Sequence, residues 1–432
     1  MNYETMKSFV LVVLIGISLL LSFILWSYQP NYDYLQDADY VNEVDVGGEE
    51  KSKNELIHPS KVIFNNQVDL KGFKEPGDML SFYQEMTSWV LYDYDTSEAK
   101  WNPGDSRYVE IIFPSKIPAE LVTSLFTFND DIEVGNWSFD RIYLSLDGDE
   151  QLVDVIIKSD DNRRQIKAKT DKSQTYEQLL SYLVQDHKEL EEYITLQTED
   201  NDIYIPKEEK SLPEKTVIAK KIKPEQFINA LFPNPSLVTP NVREAYFTDG
   251  QRGMQVENDD LSLEYINPIG SNYDRIPAAE LIDRSVNHIN EQHGWTNNFN
   301  LTSMNKVTNK IRYRMTYEGY PLSDNHHLSV IEQEWRDQEL YNYVRPLVEV
   351  GNVLNNEDSE LISGEKLIKL IEQNKGNLKL DNMKDIRVGY YLSVTDDRSL
   401  TLKPEWFIVY ENEWVRFDAD DYRDNPEKGE DG

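Results

Sequence analysis

The chain begins with an unbroken apolar run and then changes its pattern. From Ser8 to Trp26 no residue carries a charge, a stretch of about 19 residues, close to the ~20 that cross a bilayer core as a helix. Beyond it, apolar positions come in short groups with helical or alternating spacing. "PGDMLSFYQEMTSWVL" sets Leu80, Tyr83, Met86, Trp89 and Val90 on one face and predicts an amphipathic helix. "IHPSKVIFNN" and "RYVEIIFP" read as strands, and "PAELVTSLFTF" as a short helix opening at Pro118. "SFDRIYLSLDGDEQLVDVIIKS" holds two alternating runs joined by Asp147-Gly148-Asp149, a hairpin signal. "RRQIKAKT" follows, and "TYEQLLSYLVQDH" predicts a further helix.

After "NDIYIPKEEKSLP" the pattern starts again. "KPEQFINALF" is helical, and "VREAYFTDGQRGMQVENDDLSLEYINP" divides into three short strands with turns at Asp249-Gly250 and Asn258-Asp259. The last third repeats a theme of one helix followed by an antiparallel meander. One copy runs from "AAELIDRSVNHINEQ" through "KIRYRMTYEGYPL", "HHLSVIEQEW" and "ELYNYVRPLVEV". The other runs from "SGEKLIKLIEQN" through "DIRVGYYLSV", "LTLKPEWFIVYE" and "EWVRF". Arg312 and Tyr313 before Gly319-Tyr320-Pro321 parallel Tyr390-Tyr391 before Lys403-Pro404. Such units side by side build a sheet with helices on one face.

The expected fold class is α+β: a single N-terminal transmembrane helix followed by a multi-domain ectodomain of antiparallel sheets. The expected divisions are a cytoplasmic N-terminus at 1–7, the span at 8–27 and a polar linker at 28–55. An N-terminal α+β domain at 56–200, a central one at 201–275 and a C-terminal one at 276–418 follow, with an acidic tail at 419–432.

The apolar run reads as an anchor and not as a cleaved signal. It is longer than the usual ~7–15-residue signal core, and no small-x-small cleavage site follows it. Trp26 and Tyr28 suit the headgroup level, and Lys7 precedes the span with no cation close to its far end. This places a short N-terminus in the cytoplasm and the bulk of the chain outside a cell membrane. Leu11, Ile15, Ser18, Ser22 and Leu25 share one face of the helix, and Ser18 and Ser22 make a small-xxx-small pair. That face suits close packing against a second membrane helix. Equally, both hydroxyls can bond back to carbonyls of their own helix.

Composition narrows the function. The chain has 432 residues, 39% hydrophobic and 11% aromatic, enough for a large core. Lys and Arg total 44 against 78 Asp and Glu, a net charge of -34. That argues against nucleic acid and against a bare anionic membrane surface, since phosphate binding needs clustered cations. Cysteine is absent, which excludes disulfides, thiolate catalysis and Cys-ligated zinc. An exported protein without Cys suits a bacterium that does not rely on disulfides outside the cytoplasm.

Candidate chemistry falls short wherever it surfaces. "HINEQH" sets His288, Glu291 and His293 near a zinc-like spacing. Helical positions five apart lie about 140° from each other, so both imidazoles cannot face one ion. These are expected as surface helix residues, and His326-His327 as the opening of a strand with opposed side chains. Asp93 and Asp95 begin like a calcium loop, but Glu98 and Gly104 stand where Gly and Glu are needed. The acidic pairs Asp147/Asp149 and Asp358/Glu360 fit turns and solvated surface. The eight Trp and 26 Tyr either line a carbohydrate groove or serve as core and interface. No catalytic constellation, cofactor or metal site is expected.

The span followed by Leu25-Trp26-Ser27-Tyr28-Gln29-Pro30-Asn31-Tyr32, with "GYPLSD…WRDQELYNYVRPL" and "VGYYLSV…LKPEWFIVY", resembles the YycH family along essentially the whole chain. These are extracytoplasmic regulators of the WalK/WalR (YycG/YycF) two-component system of low-GC Gram-positive bacteria. The resemblance implies a bitopic, non-enzymatic regulator. Its implied partners are a WalK-like sensor histidine kinase and a YycI-like protein, and its last domain would resemble that of YycI. Contacts between transmembrane helices would adjust the kinase. Two other readings stay open: an extracytoplasmic ligand- or wall-sensing module, and an anchored cell-envelope enzyme.

Overall fold

The computed structural model describes residues 45–417 apart from 105, 147–151, 171–172, 199–201, 242–244, 269–273, 374–379, 397 and 412. The expected span, its packing face Leu11, Ile15, Ser18, Ser22 and Leu25, the anchors Lys7, Trp26 and Tyr28, and the pair Asp147/Asp149 lie outside these residues. Within the described residues the chain is mixed α+β, mostly sheet with few helices.

The first sheet uses β1 (Lys61–Asn65), β2 (Leu70–Phe73), β3 (Val90–Glu98), β4 (Tyr108–Pro118) and β5 (Thr127–Phe128). To these it adds β6 (Ser138–Ser145), β7 (Val153–Lys158), β8 (Arg164–Thr170), β9 (Leu190–Gln197) and β10 (Asp202–Pro206). Their order is β10-β9-β2-β1-β4-β6-β7-β8-β3-β5. The expected hairpin is β6–β7, antiparallel from Arg141↔Lys158 to Ser145↔Asp154. All pairings are antiparallel except β3 with β5. Among the described residues this half has the helices α1 (Pro76–Thr87), α2 (Val122–Leu125) and α3 (Ser173–Val184). Helix α1 stops at Thr87, four residues short of the expected stretch. Phe82, Tyr83 and Met86 are buried on its face, while Val90 already belongs to β3 and is exposed. The apolar spacing ran through Val90 because a strand follows the helix almost without a break. Before α2 the chain makes a 3-10 turn at Ala119–Leu121, not the α-helical start expected after Pro118.

The second sheet begins with β12 (Glu214–Lys221), which follows the two-residue strand β11 (Lys210–Ser211). Then come β13 (Thr239–Asn241), β14 (Tyr246–Thr248), β15 (Gly253–Glu257), β16 (Ser262–Ile266), β17 (Asn298–Asn305), β18 (Lys310–Tyr317) and β19 (Tyr320–Ser323). Next are β20 (Val330–Arg336), β21 (Glu339–Pro346), β22 (Val348–Glu357), β24 (Met383–Asp396), β25 (Ser399–Tyr410) and β26 (Glu413–Phe417), while β23 (Glu360–Leu361) pairs only with β11. The order is β13-β14-β15-β16-β21-β20-β18-β19-β24-β25-β12-β22, with β17 on β18 and β26 on β25. The turn at Asp249-Gly250 forms as expected: Asp249 Oδ1 accepts from the amides of Gln251 and Arg252 at 2.9 and 2.7 Å. Both meanders of the last third share this sheet. They join through β19 and β24, which run parallel at Leu322↔Tyr390 and Ser323↔Tyr391. Among the described residues this half has the helices α4 (Glu225–Leu231), α5 (Ala278–Asn290) and α6 (Gly364–Gln373).

One apolar cluster runs through both sheets, taking in Ile111 and Phe139 of the first and Phe299, Tyr313 and Leu392 of the second. A second cluster lies under α6, where Leu367 and Ile371, one turn apart, meet Ile203 and Ile205 of β10 and Trp406 of β25. Gly364 opens that helix against β10; a Cβ there would stand 2.1 Å from the Pro206 carbonyl oxygen. The far end of the segment expected as linker is tied down as well. Val46 is buried and its amide donates to Gln292, and Gly48 and Glu49 donate to His293 and Trp295.

Candidate functional site

The two sheets meet at a cleft of about 100 Å³. One wall is Ser60 and Lys61 entering β1, the β2–α1 corner from Phe73 to Met79, Tyr193 of β9 and Lys210 of β11. The other is Asn300 and Thr302 of β17, Arg314 and Thr316 of β18, the turn at Gly319, and Ile386, Arg387 and Val388 of β24. That turn has a local cause. Tyr317 pairs with Tyr320, so only Glu318 and Gly319 form the loop, at φ 50 and 82. Both central residues with positive φ are the requirement of a type I′ hairpin. A Cβ on Gly319 would also come within 2.5 Å of Pro76 Cβ, so glycine lets this turn lie against the start of α1.

Five cations line the cleft: Lys61, Lys74, Lys210, Arg314 and Arg387; Glu75 is the one lining carboxylate among the described residues. The Glu75 carboxylate accepts the Tyr320 hydroxyl at 3.1 Å. Behind the wall Asp385 joins two of the cations, taking Lys61 Nζ on one oxygen and Arg387 Nε at 2.5 Å on the other. All three side chains are nearly sealed from solvent, and Lys61 also donates to the Ile386 carbonyl at 2.9 Å. Burial pushes the Asp385 carboxyl up, but the Lys61 ammonium and the Arg387 guanidinium outweigh it and hold it below the ordinary carboxylate range. Lys210 donates to the Lys74 carbonyl and pairs with Glu191 at 3.2 Å.

Arg314 is different. It is 5% exposed, its Nη1 donates to the Leu322 carbonyl at 2.8 Å, and its Nε has no acceptor among the described residues. Its guanidinium lies over the Trp414 ring at 4.4 Å, and Arg387 shares that ring at 5.4 Å. Burial, with Arg312 adding to it, pushes the guanidinium down to about 9. That is the mark of a buried cation whose compensation is incomplete. Charged groups thus concentrate one sign in this cleft, although the whole chain carries the other.

This sheet-rich plan has known relatives. Residues 4–188 match the YycH protein N-terminal domain, and residues 200–424 match the YycH protein C-terminal domain. The chain belongs to the YycH family. It is 21% identical over 447 residues to the Bacillus subtilis (strain 168) protein named "Two-component system WalR/WalK regulatory protein YycH", covering 94% of this chain and 94% of that one. It is also similar to the crystal structure of YycH from Bacillus subtilis, with a TM-score of 0.72 at 16% identity, over 87% of this chain and 100% of that one. The shared fold is the mixed α+β, mostly-sheet architecture described above.

Within this YycH-family fold the near-miss histidines part company. Helix α5 ends at Asn290, so His293 lies beyond it at φ 47, with its Nε2 3.7 Å from Glu50. His288 corrects the surface expectation. It packs edge-on against Trp335 at 5.7 Å and Tyr343 at 5.5 Å, and the Gln333 amide donates to its Nδ1 at 2.9 Å. A polar residue reads as surface in a helix pattern, but here glutamine and aromatic partners from β20 and β21 receive it. His326 and His327 correct the other expectation. They sit exposed in the loop before β20, where Asp324 accepts the amides of His326, Leu328 and Ser329. Asp93 lies in β3 at φ 50 and pairs with Lys169 at 2.8 Å. Asp358 and Glu360 flank Ser359 at the start of β23, and Glu360 is exposed. No group of three His, Asp or Glu placed to hold a metal occurs among the described residues. Of the aromatic side chains, Trp89, Trp295, Trp335 and Trp406 are core. The cleft itself was missed: its residues are scattered from 59 to 388 and only the excess of Lys and Arg near "KGFK" and "RYRM" hinted at any of it.

His288, half-buried against Trp335 and Tyr343, gives a pH test of this packing. Burial, with Arg345 adding to it, pushes the imidazole down from 6.5 to about 4. Between these values the unfolded chain takes up a proton that the folded chain refuses. Stability is therefore full above 6.5 and falls as the pH drops toward 4, by at most about 3 kcal/mol. In urea unfolding at pH 7 and pH 4.5, the wild type should lose more stability than His288→Gln; equal losses would place the imidazole in solvent.

Proposed function

We propose that this protein regulates a WalK-like sensor histidine kinase of a cell-wall-homeostasis two-component system by protein–protein contact. The observation that carries the reading is family membership along both halves of the chain, together with the printed role of the Bacillus subtilis relative as a WalR/WalK regulatory protein. In this reading the protein is not an enzyme. Residues 8–27 form a single-pass anchor with residues 1–7 in the cytoplasm, and the rest of the chain lies outside the membrane. Lys7, Trp26 and Tyr28 hold the depth of the helix. Leu11, Ile15, Ser18, Ser22 and Leu25 form the face that meets partner helices, and the small Ser18 and Ser22 permit close approach. A YycI-like protein completes the assembly. The divisions at 28–55, 56–200, 201–275, 276–418 and 419–432 are the units in which the outer part would be dissected. A regulator of this kind acts by favouring one signalling state of the kinase over the other.

The test is an exchange. Residues 1–34 are expressed alone, and separately the remaining chain is carried on an unrelated transmembrane helix, with reporter output of the cognate system as readout. The short peptide is expected to change output and the exchanged protein to have lost its effect. The reverse result would move the function to the outer domain and sink the packing-face reading.

A further inference from the structure

The cleft at the junction of the two sheets holds a charge distribution that the regulatory reading does not use. We infer that it is a binding site for a small oxyanion, a phosphate or carboxylate group received by Arg314, Arg387, Lys61, Lys74 and Lys210. Five lining cations face one lining carboxylate, which is already occupied by Tyr320. Asp385 and Glu191 behind the wall pair with Lys61, Arg387 and Lys210, and Lys74 and Arg314 are left without a bound carboxylate among the described residues. The chain as a whole carries -34, so a random patch of its surface would be acidic.

Three features distinguish the cleft from an ordinary basic patch. Arg314 is 5% exposed and its Nε lacks an acceptor among the described residues. A buried guanidinium with an unfilled donor is incompletely compensated, and a negative charge brought into the cleft beside it lowers that cost. Arg314 and Arg387 both stack on the Trp414 ring, and a guanidinium is the side chain that meets an oxyanion with a fork of donors. The start of α1 borders the cleft at Pro76 and Met79, and its positive dipole end favours an anion. The size agrees: about 100 Å³ is several times the ~10–15 Å³ of such space that one water requires, room for a phosphate or carboxylate group. Since one wall comes from β1, β2 and β9 and the other from β17, β18 and β24, an occupant would touch both halves of the fold at once.

The full chain in a zwitterionic detergent is titrated calorimetrically with inorganic phosphate, glycerol 3-phosphate and acetate, each against sodium chloride at matched ionic strength. Saturable binding of one equivalent of at least one of the three, absent with chloride, is expected. Which arm binds identifies the group: phosphate alone, a phosphate ester, or a carboxylate. Lys74 is exposed at the rim, so Lys74→Glu should leave the melting temperature unchanged and weaken binding at least tenfold. Arg314→Lys should weaken it as well while keeping a charge in place. Absence of saturable binding in all three arms overturns the inference, and so does binding that Lys74→Glu and Arg314→Lys leave unaltered. The outcome is read on the purified chain, so it stands or falls apart from the kinase reporter.

Discussion

Asp385→Asn is expected to destabilise the folded chain by about 3–5 kcal/mol. The carboxylate sits between Lys61 of β1 and Arg387 of β24, and it is the group that allows both cations to be buried. An amide of the same shape keeps the packing and loses the charge, so two cations would remain in a nearly sealed pocket, Lys61 with the Ile386 carbonyl and Arg387 with the Trp414 ring. Removing one member of a buried network costs far more than removing all of it, because the survivors keep their desolvation. The triple change Lys61→Met, Asp385→Leu, Arg387→Met should accordingly cost less than Asp385→Asn alone. Urea unfolding followed by tryptophan fluorescence measures both. Equal or larger loss in the triple variant would mean that the network contributes attraction beyond its own desolvation. The pH dependence has a definite sign: the folded carboxyl lies below its ordinary value, so its contribution is present at neutral pH and is lost as the pH falls through that lowered value.

Arg345→Leu should cost about as much, roughly 3–5 kcal/mol, by a different route. Arg345 is fully buried and has no carboxylate partner among the described residues. Instead it organises backbone. Its Nη2 donates to the Gly294 carbonyl at 2.9 Å, its Nε to the Pro346 carbonyl at 3.2 Å and its Nη1 to the Tyr343 hydroxyl at 3.1 Å. The guanidinium plane lies over the Phe227 ring at 4.6 Å. One side chain therefore ties the end of α5, strand β21 and helix α4 together. Leucine fills part of the volume but leaves those acceptors dry. Arg345→Lys should recover only part of the loss, since one ammonium cannot reproduce three donors in a plane. Full recovery by lysine would show that charge alone, and not the fork of donors, holds this corner.

Both effects rest on pairs that no spacing in the chain announces. Local order is another matter. The i, i+4 pair Leu367 and Ile371 marked α6, and Leu281, Ile282, Val286 and Ile289 marked α5, because a helix repeats every 3.6 residues and burial follows that period. The turn at Asp249-Gly250 and the hairpin β6–β7 were legible for the same reason: turn residues and alternation act over a few positions. Strands such as β9, β12 and β17 were not singled out, since their side chains find cover only when distant strands arrive. Helix α1 was read too long because a strand with apolar residues continues straight from it.

The sequence by itself determined the class of the protein: the α+β, sheet-rich make-up, the helices and hairpins with a local period, and the family to which the chain belongs. Those properties live in residues near one another along the chain. Tertiary structure alone decided that His288 packs between Trp335 and Tyr343, that Lys61 and Arg387 share Asp385, and that Arg314 is buried beside the same cleft with no carboxylate bound to it among the described residues. Position 61 and position 387 meet only because β1 and β24 are brought together by the packing of two sheets. Charge is a long-range property of the folded molecule, and an excess of acid counted along the chain says nothing about where its cations converge.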